Sequence, residues 1–169
     1  VKAGTPLLED RAHPEIKFTS PVAGQVAEVK RGARRVLLQI TIDVDPAQGG
    51  VEFGSLNLAS ASREAIRDAL LASGLFVRIR QHPFGRIPNP ADVPKGIFVS
   101  GLATAPLAAD PNVVVKGAGD ALQAGFTALS KLTSGKVHLG VTPNSNELAA
   151  EFKSLAGVEV HPIHGKHPA

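Results

Sequence analysis

Lys136-Val137-His138-Leu139-Gly140-Val141 reads as a short strand, and the patterns on either side of it decide the fold. Upstream, Gly119 to Thr133 carries Leu122, Phe126 and Leu129 at i, i+4 and i+7, a spacing that gathers apolar side chains on one helical face. Before it, Gly96-Ile97-Phe98-Val99-Ser100-Gly101 is apolar and rich in strand formers. Downstream, Asn144 with Glu147 three residues on is a capping-box-like start for a helix bearing Leu148, Phe152 and Leu155. Val158 to Ile163 is a third strand. Strand, helix, strand, helix, strand at these lengths predicts a parallel α/β sheet with right-handed crossovers over residues 95–169.

The chain changes character toward its N-terminus. Residues 1–46 hold short extended runs, Glu15 to Ser20, Gln25 to Lys30 and Arg35 to Val44, the last alternating Val36, Leu38, Ile40, Ile42 and Val44 on one face. Pro21-Val22-Ala23-Gly24 and Arg31-Gly32 supply turns, Pro presetting φ and Gly accepting positive φ. Residues 47–94 read as one helix, Ser62 to Ser73, followed by a Pro-rich linker with Pro83, Pro88, Pro90 and Pro94. In that helix Ser62 is the N-cap, Ala65, Ile66, Ala69 and Leu70 form the apolar stripe, and Gly74 fits C′.

Composition narrows the function classes. The 169 residues are 43% hydrophobic and contain seven Phe but no Cys, Met, Trp or Tyr. Without Cys there is no thiol nucleophile, disulfide, Cys-ligated zinc or iron–sulfur cluster within these residues. A net charge of +3 without Tyr or Trp to stack bases argues against nucleic-acid binding. The longest uncharged run, Gly96 to Ala109, is broken by Pro106 and falls short of the roughly 20 residues a bilayer span needs. Every Arg lies at or before Arg86 and only Lys follows, as in a chain of two parts. Val1 is not a natural start, so the expectation is a piece of a longer protein or a processed one.

Few constellations promise chemistry. Glu9-Asp10-Arg11-Ala12 with Ser20-Pro21-Val22-Ala23-Gly24 resembles the half-motif of lipoyl and biotinyl carrier domains, but Arg11 stands where the acylated lysine would be. Its guanidinium stays protonated and cannot form that amide, so the expectation is a carrier-like barrel-sandwich scaffold without a swinging arm. No Gly-x-Gly-x-x-Gly follows Gly96 to Gly101, only the bulky Leu102 to Pro111 loop. Lys116-Gly117-Ala118-Gly119-Asp120 is an anion-site candidate at a helix start, read foremost as an ordinary Gly-containing one. His161, His164 and His167 are spaced by three, but Pro162, Gly165 and Pro168 oppose a helix, and the reading is a solvated tail with no metal site. No catalytic triad or nucleophile elbow is visible.

Two basic clusters remain. Lys30, Arg31, Arg34 and Arg35 surround a turn and could dock an acidic partner. Arg80, His82, Phe84 and Arg86 lie on a Pro-stiffened segment, an aromatic face among fixed donors that suits a flat dicarbonyl ring such as a quinone.

The segments, taken in order, resemble one family. Leu8-Glu9-Asp10, Lys17-Phe18-Thr19, Arg31-Gly32-Ala33, Ser73-Gly74-Leu75, Arg80 with Pro83-Phe84, Pro106-Leu107-Ala108-Ala109-Asp110-Pro111, Leu129-Ser130-Lys131-Leu132-Thr133, Gly135-Lys136-Val137-His138 and His167-Pro168-Ala169 occur in this order in the A subunits of Na⁺-translocating NADH:quinone oxidoreductases. The resemblance implies an α/β chain, α+β overall, with a carrier-like β module and a truncated Rossmann-like parallel unit. It implies a peripheral subunit on the cytoplasmic side of the bacterial inner membrane, in a respiratory complex that oxidises NADH, reduces ubiquinone and exports Na⁺. Partners would be the other subunits, which hold NADH and the flavins, while this chain would carry no covalent cofactor or redox centre and catalyse nothing alone. Carried over by position, Arg80, His82, Phe84 and Arg86 would lie near quinone. Where the family usually has Trp, Arg and Cys, this chain has Phe76, His82 and Gly140. A purely structural docking subunit is the alternative, and a flavin- or nucleotide-binding α/β domain a remote one.

Overall fold

A computed structural model describes residues 1–102, 104–142 and 150–165. The chain divides into two compact units, Val1–Leu56 with Arg67–Pro90, and Asn57–Ile66 with Ala91–Ala169, so the residues expected to form a middle segment are shared between them.

In the first unit β1 (Pro6–Glu9) pairs antiparallel with β2 (Lys17–Thr19). Asp10 turns the chain between them, its Oδ1 accepting the Ala12 and His13 amides at 2.8 and 3.0 Å. β3 (Gly24–Arg31) pairs antiparallel with β4 (Leu37–Val44). The strand expected from Arg35 begins two residues later, because Arg34 and Arg35 take the left-handed region (φ 54° and 62°) in a 3₁₀ turn over Ala33–Arg35. Its apolar row is only half covered: Ile40 and Ile42 are partly buried while Leu38 and Val44 stay 61% and 62% exposed, since a two-stranded ribbon cannot bury a face by itself.

The core of this unit is Ile16, Leu71 and Phe76. Val77, Ile79 and Ile87 pack on it, so part of the stretch expected to be a linker is core. Leu71 belongs to α1 (Arg63–Ala72), whose ends are as the sequence predicts: Ser62 Oγ accepts the Ala65 amide at 3.1 Å, and Gly74 takes φ +75° beyond the last turn. A Cβ on Gly74 would stand 2.5 Å from Thr19 Oγ1, so both its conformation and its surroundings demand glycine.

The second unit holds the parallel sheet, β5 (Gly96–Gly101), β6 (Lys136–Val141) and β7 (Val158–Pro162), in the order β5-β6-β7. Between β5 and β6 run α2 (Pro111–Val114), started by Asp110 accepting the Asn112 amide, and α3 (Gly119–Leu132). The sequence predicts a loop over residues 102–111, and the short helix begins at its last residue, Pro111, the favoured first helical position. α4 (Ala150–Lys153) lies between β6 and β7, while the expected cap at Asn144 and Glu147, and Leu148, fall outside the described residues.

Alternation sorts the sheet. Val137, Leu139 and Val141 of β6 are buried with Phe126 of α3 and Phe152 of α4, and Ile97, Val99, Leu122, Leu129 and Val158 pack around them. Both helices thus cover one face, as successive crossovers of the same hand in a monotonic strand order require. Residues of opposite parity, Phe98, His138, Glu159 and His161, stand on the other face, where Phe98 is 78% exposed. Among the described residues no helix is long and apolar enough to cross a membrane.

Candidate functional site

Residues 81–86 form a tight hairpin. Gln81 and Arg86 make an isolated antiparallel bridge, the Gln81 amide donating to the Arg86 carbonyl at 2.7 Å, with a cis His82-Pro83 bond and Gly85 at φ +63° between them. The turn folds Arg86 back on Phe84, placing its guanidinium carbon 5.4 Å from the ring centroid, within cation–π range. Arg80, His82, Phe84 and Arg86 are all exposed, Phe84 by 78%. The structure therefore brings Phe84 and Arg86 together on a surface turn, where a flat ring could stack on one side only.

The other basic group is also exposed. Lys30 and Arg31 end β3, Arg34 and Arg35 occupy the left-handed turn, and an Arg31 guanidinium nitrogen donates to the Arg35 carbonyl at 3.2 Å. All four are exposed at one end of the β3–β4 ribbon.

The α/β unit has a cleft of about 270 Å³ lined by Val99, Val115, Leu122, Phe126 and Phe152. It lies beside the C-terminal end of β5, where open α/β sheets bind ligands. Its volume is just below the roughly 300–1,000 Å³ of small-molecule sites, and its lining is almost wholly apolar.

The anion-site candidate at the start of α3 is occupied from within. The Gly117 amide donates to a Glu151 carboxylate oxygen at 2.7 Å, so the group that would receive a phosphate already holds an anion from α4. That hydrogen bond, followed by the Glu151 amide and the charge of Lys116, outweighs slight desolvation and holds the Glu151 carboxyl below the ordinary carboxylate range. Because its pKa is lowered in the fold, the contact is fully present above the ordinary value and is lost as pH falls through the lowered one. Glu151→Ala is expected to speed amide hydrogen exchange at Gly117 at neutral pH, and acid is expected to do the same in the unsubstituted chain once intrinsic rates are divided out. Unchanged protection at Gly117 in Glu151→Ala would contradict the contact.

The histidines expected to form a solvated tail do not behave as one group. His161 lies on β7 and faces His138 of β6, while His164 is exposed beyond the strand and His167 lies outside the described residues. Sequence proximity points to Glu159 as the nearest acid and passes over His138. The signal lies in the outward parity of both strands, once they are taken as neighbours.

Comparison with known proteins gives consistent matches over the whole chain. A family model described as NqrA second alpha/beta domain matches residues 61–169, and one described as NqrA N-terminal barrel-sandwich hybrid domain matches residues 1–45. Among curated proteins, the A subunit of the Na(+)-translocating NADH-quinone reductase of Pseudomonas aeruginosa is 39% identical over 172 residues, covering 100% of this chain and 37% of the relative. The corresponding A subunits of Saccharophagus degradans (38% identical) and Vibrio vulnificus (39%) also cover 100% of the chain, and it covers 38% and 37% of them. The chain thus spans less than two fifths of the length of these relatives.

Proposed function

The chain belongs to the NqrA family, the A subunits of Na(+)-translocating NADH-quinone reductase, and from that membership we propose that it serves in such a complex as a peripheral subunit on the cytoplasmic side of the bacterial inner membrane. Its role is to help hold ubiquinone, with no redox centre of its own, while other subunits carry NADH and flavins and couple electron transfer to Na⁺ export. The observation that supports a quinone role for these residues is the hairpin that sets the Arg86 guanidinium beside the exposed ring of Phe84. A quinone ring stacked on the face of Phe84 that Arg86 leaves open would have Arg80 and His82, which flank the same turn, as candidate donors to its carbonyl oxygens. A ring enclosed on both faces would need a second surface, which an assembled complex can supply.

A photoreactive ubiquinone analogue, added to the assembled complex and followed by peptide mapping, is expected to label residues 80–86. Loss of an aromatic stack worth about 0.5–1.5 kcal/mol predicts that Phe84→Ala weakens quinone binding by roughly 2- to 13-fold. Labelling confined to the apolar cleft, or unchanged affinity in Phe84→Ala, would sink this reading.

A second reading, docking of an acidic partner protein at Lys30, Arg31, Arg34 and Arg35, is favoured by the exposure of all four around one ribbon turn. A nucleotide or flavin phosphate at the start of α3 would have to displace the Glu151 carboxylate from the Gly117 amide.

A further inference from the structure

We propose that His138, Glu159 and His161 form a binding site for a divalent transition-metal cation of the zinc, cobalt or nickel class on the uncovered face of the parallel sheet. Strand register builds the site. His138 of β6 pairs with Glu159 of β7, and His161 is the next residue of the same parity along β7, so three potential ligands share one face. His138 Nδ1 lies 3.0 Å from His161 Nε2 and 3.2 Å from Glu159 Oε2, and His161 Nε2 lies 3.9 Å from the same oxygen. Ligand atoms bound tetrahedrally at about 2.0–2.2 Å from a zinc ion stand about 3.3–3.6 Å apart, so this triangle needs only shifts of a few tenths of an ångström to close on one cation. Two imidazole nitrogens and one carboxylate oxygen suit zinc, cobalt or nickel rather than magnesium or calcium, and leave a fourth position open.

The surroundings hold the ligands in place. Phe98 stacks on the His138 imidazole with centroids 4.8 Å apart and planes within 16°. Gly96 lies beneath the same ring, a Cβ there coming within 3.8 Å of Nε2, so Nδ1 is the nitrogen turned toward His161 and Glu159. Lys136 donates to Glu159 Oε1, which orients the carboxylate and leaves Oε2 to the two imidazoles. That hydrogen bond also holds the Glu159 carboxyl below its ordinary range, so the ligand is anionic at neutral pH. In the metal-free arrangement His138 Nδ1 and His161 Nε2 face each other at hydrogen-bond distance, one ring donating its N–H proton to the other. A cation would replace that proton and tie β6 to β7 across the sheet face.

Titration of the purified protein with Zn²⁺ alone is expected to show one saturable site, and Co²⁺ alone to give the visible absorption of a tetrahedral ion. His138→Ala, Glu159→Gln and His161→Gln should each lower affinity by at least the roughly 10–100-fold that even an outer-shell partner is worth, with His164→Ala unchanged. Losing the His138 ring also removes the Phe98 stack, so the exposed His161→Gln is the decisive comparison, with circular dichroism confirming that it is folded. No saturable Zn²⁺ binding, affinity unaltered in His161→Gln and Glu159→Gln, or binding that follows His164 instead would overturn the proposal.

Discussion

Phe126→Ala is expected to remove a large share of the stability of the α/β unit. The ring is 5% exposed and packs among Val137, Leu139, Val141 and Phe152, so truncation withdraws the largest α3 side chain from the sheet. Buried Phe→Ala changes cost about 3–5 kcal/mol through lost burial and the void left behind. The ring also borders the apolar cleft, so water can reach part of the new space, which places the expected loss near the lower end, about 3 kcal/mol. Against the roughly 5–15 kcal/mol that holds an ordinary domain together, that is a large share. Urea unfolding followed by far-ultraviolet circular dichroism is the suitable measurement, because the chain has no Trp or Tyr to report by fluorescence. Phe126→Leu, close in volume, should cost less than about 1.5 kcal/mol. A loss under about 1 kcal/mol for the alanine variant would show that α3 does not pack on β6 as described.

Gly135→Ala is the second large effect, and it acts through the backbone. A Cβ at this position would stand 2.0 Å from the Lys95 carbonyl oxygen, at the point where β5 and β6 begin side by side. The adjoining turn is already clasped from the same direction: the Ser134 amide and the Thr133 hydroxyl both donate to the Pro94 carbonyl, at 3.1 and 2.8 Å. The added methyl group cannot rotate away, so β6 must withdraw from β5 and these bonds stretch. Overpacking of about 1–3 kcal/mol with a hydrogen bond or two at about 0.5–1.5 each predicts a loss of roughly 1.5–6 kcal/mol. Gly125→Ala is the control, since its Cβ meets nothing within 4 Å on α3, and removing a mid-helix glycine there should add up to about 1 kcal/mol. Equal urea midpoints for the two variants would rule out the close approach at Gly135.

What is legible in the sequence is local. β5 and β6 have the bounds their residues suggest, and α1 starts on Ser62 and stops before Gly74, because periodicity and capping are written within a few residues. The left-handed pair Arg34 and Arg35 is not legible, since arginine carries no preference for positive φ and the turn is imposed by the ribbon. Nor is the Glu151 carboxylate on Gly117, a contact between residues 34 apart that follows from how α4 lies against α3. The family and its barrel-sandwich and α/β parts can be read from ordered short motifs, and the family matches agree with them. The His138, Glu159 and His161 triangle escapes the sequence for a different reason: each strand shows its alternation, but only pairing tells which outward residues become neighbours.

The strand order β5-β6-β7 also bears on how the unit is made. Among the described residues β6 pairs with β5 and β7 with β6, Gly96 facing Lys136 and Val137 facing Val158, so each added strand meets an edge that has already been synthesised. As the chain emerges N-terminus first, β5 and α3 can receive β6, and the product is the template for β7. Near-neighbour pairing keeps loop closures short for a parallel sheet, which favours rapid assembly on the ribosome.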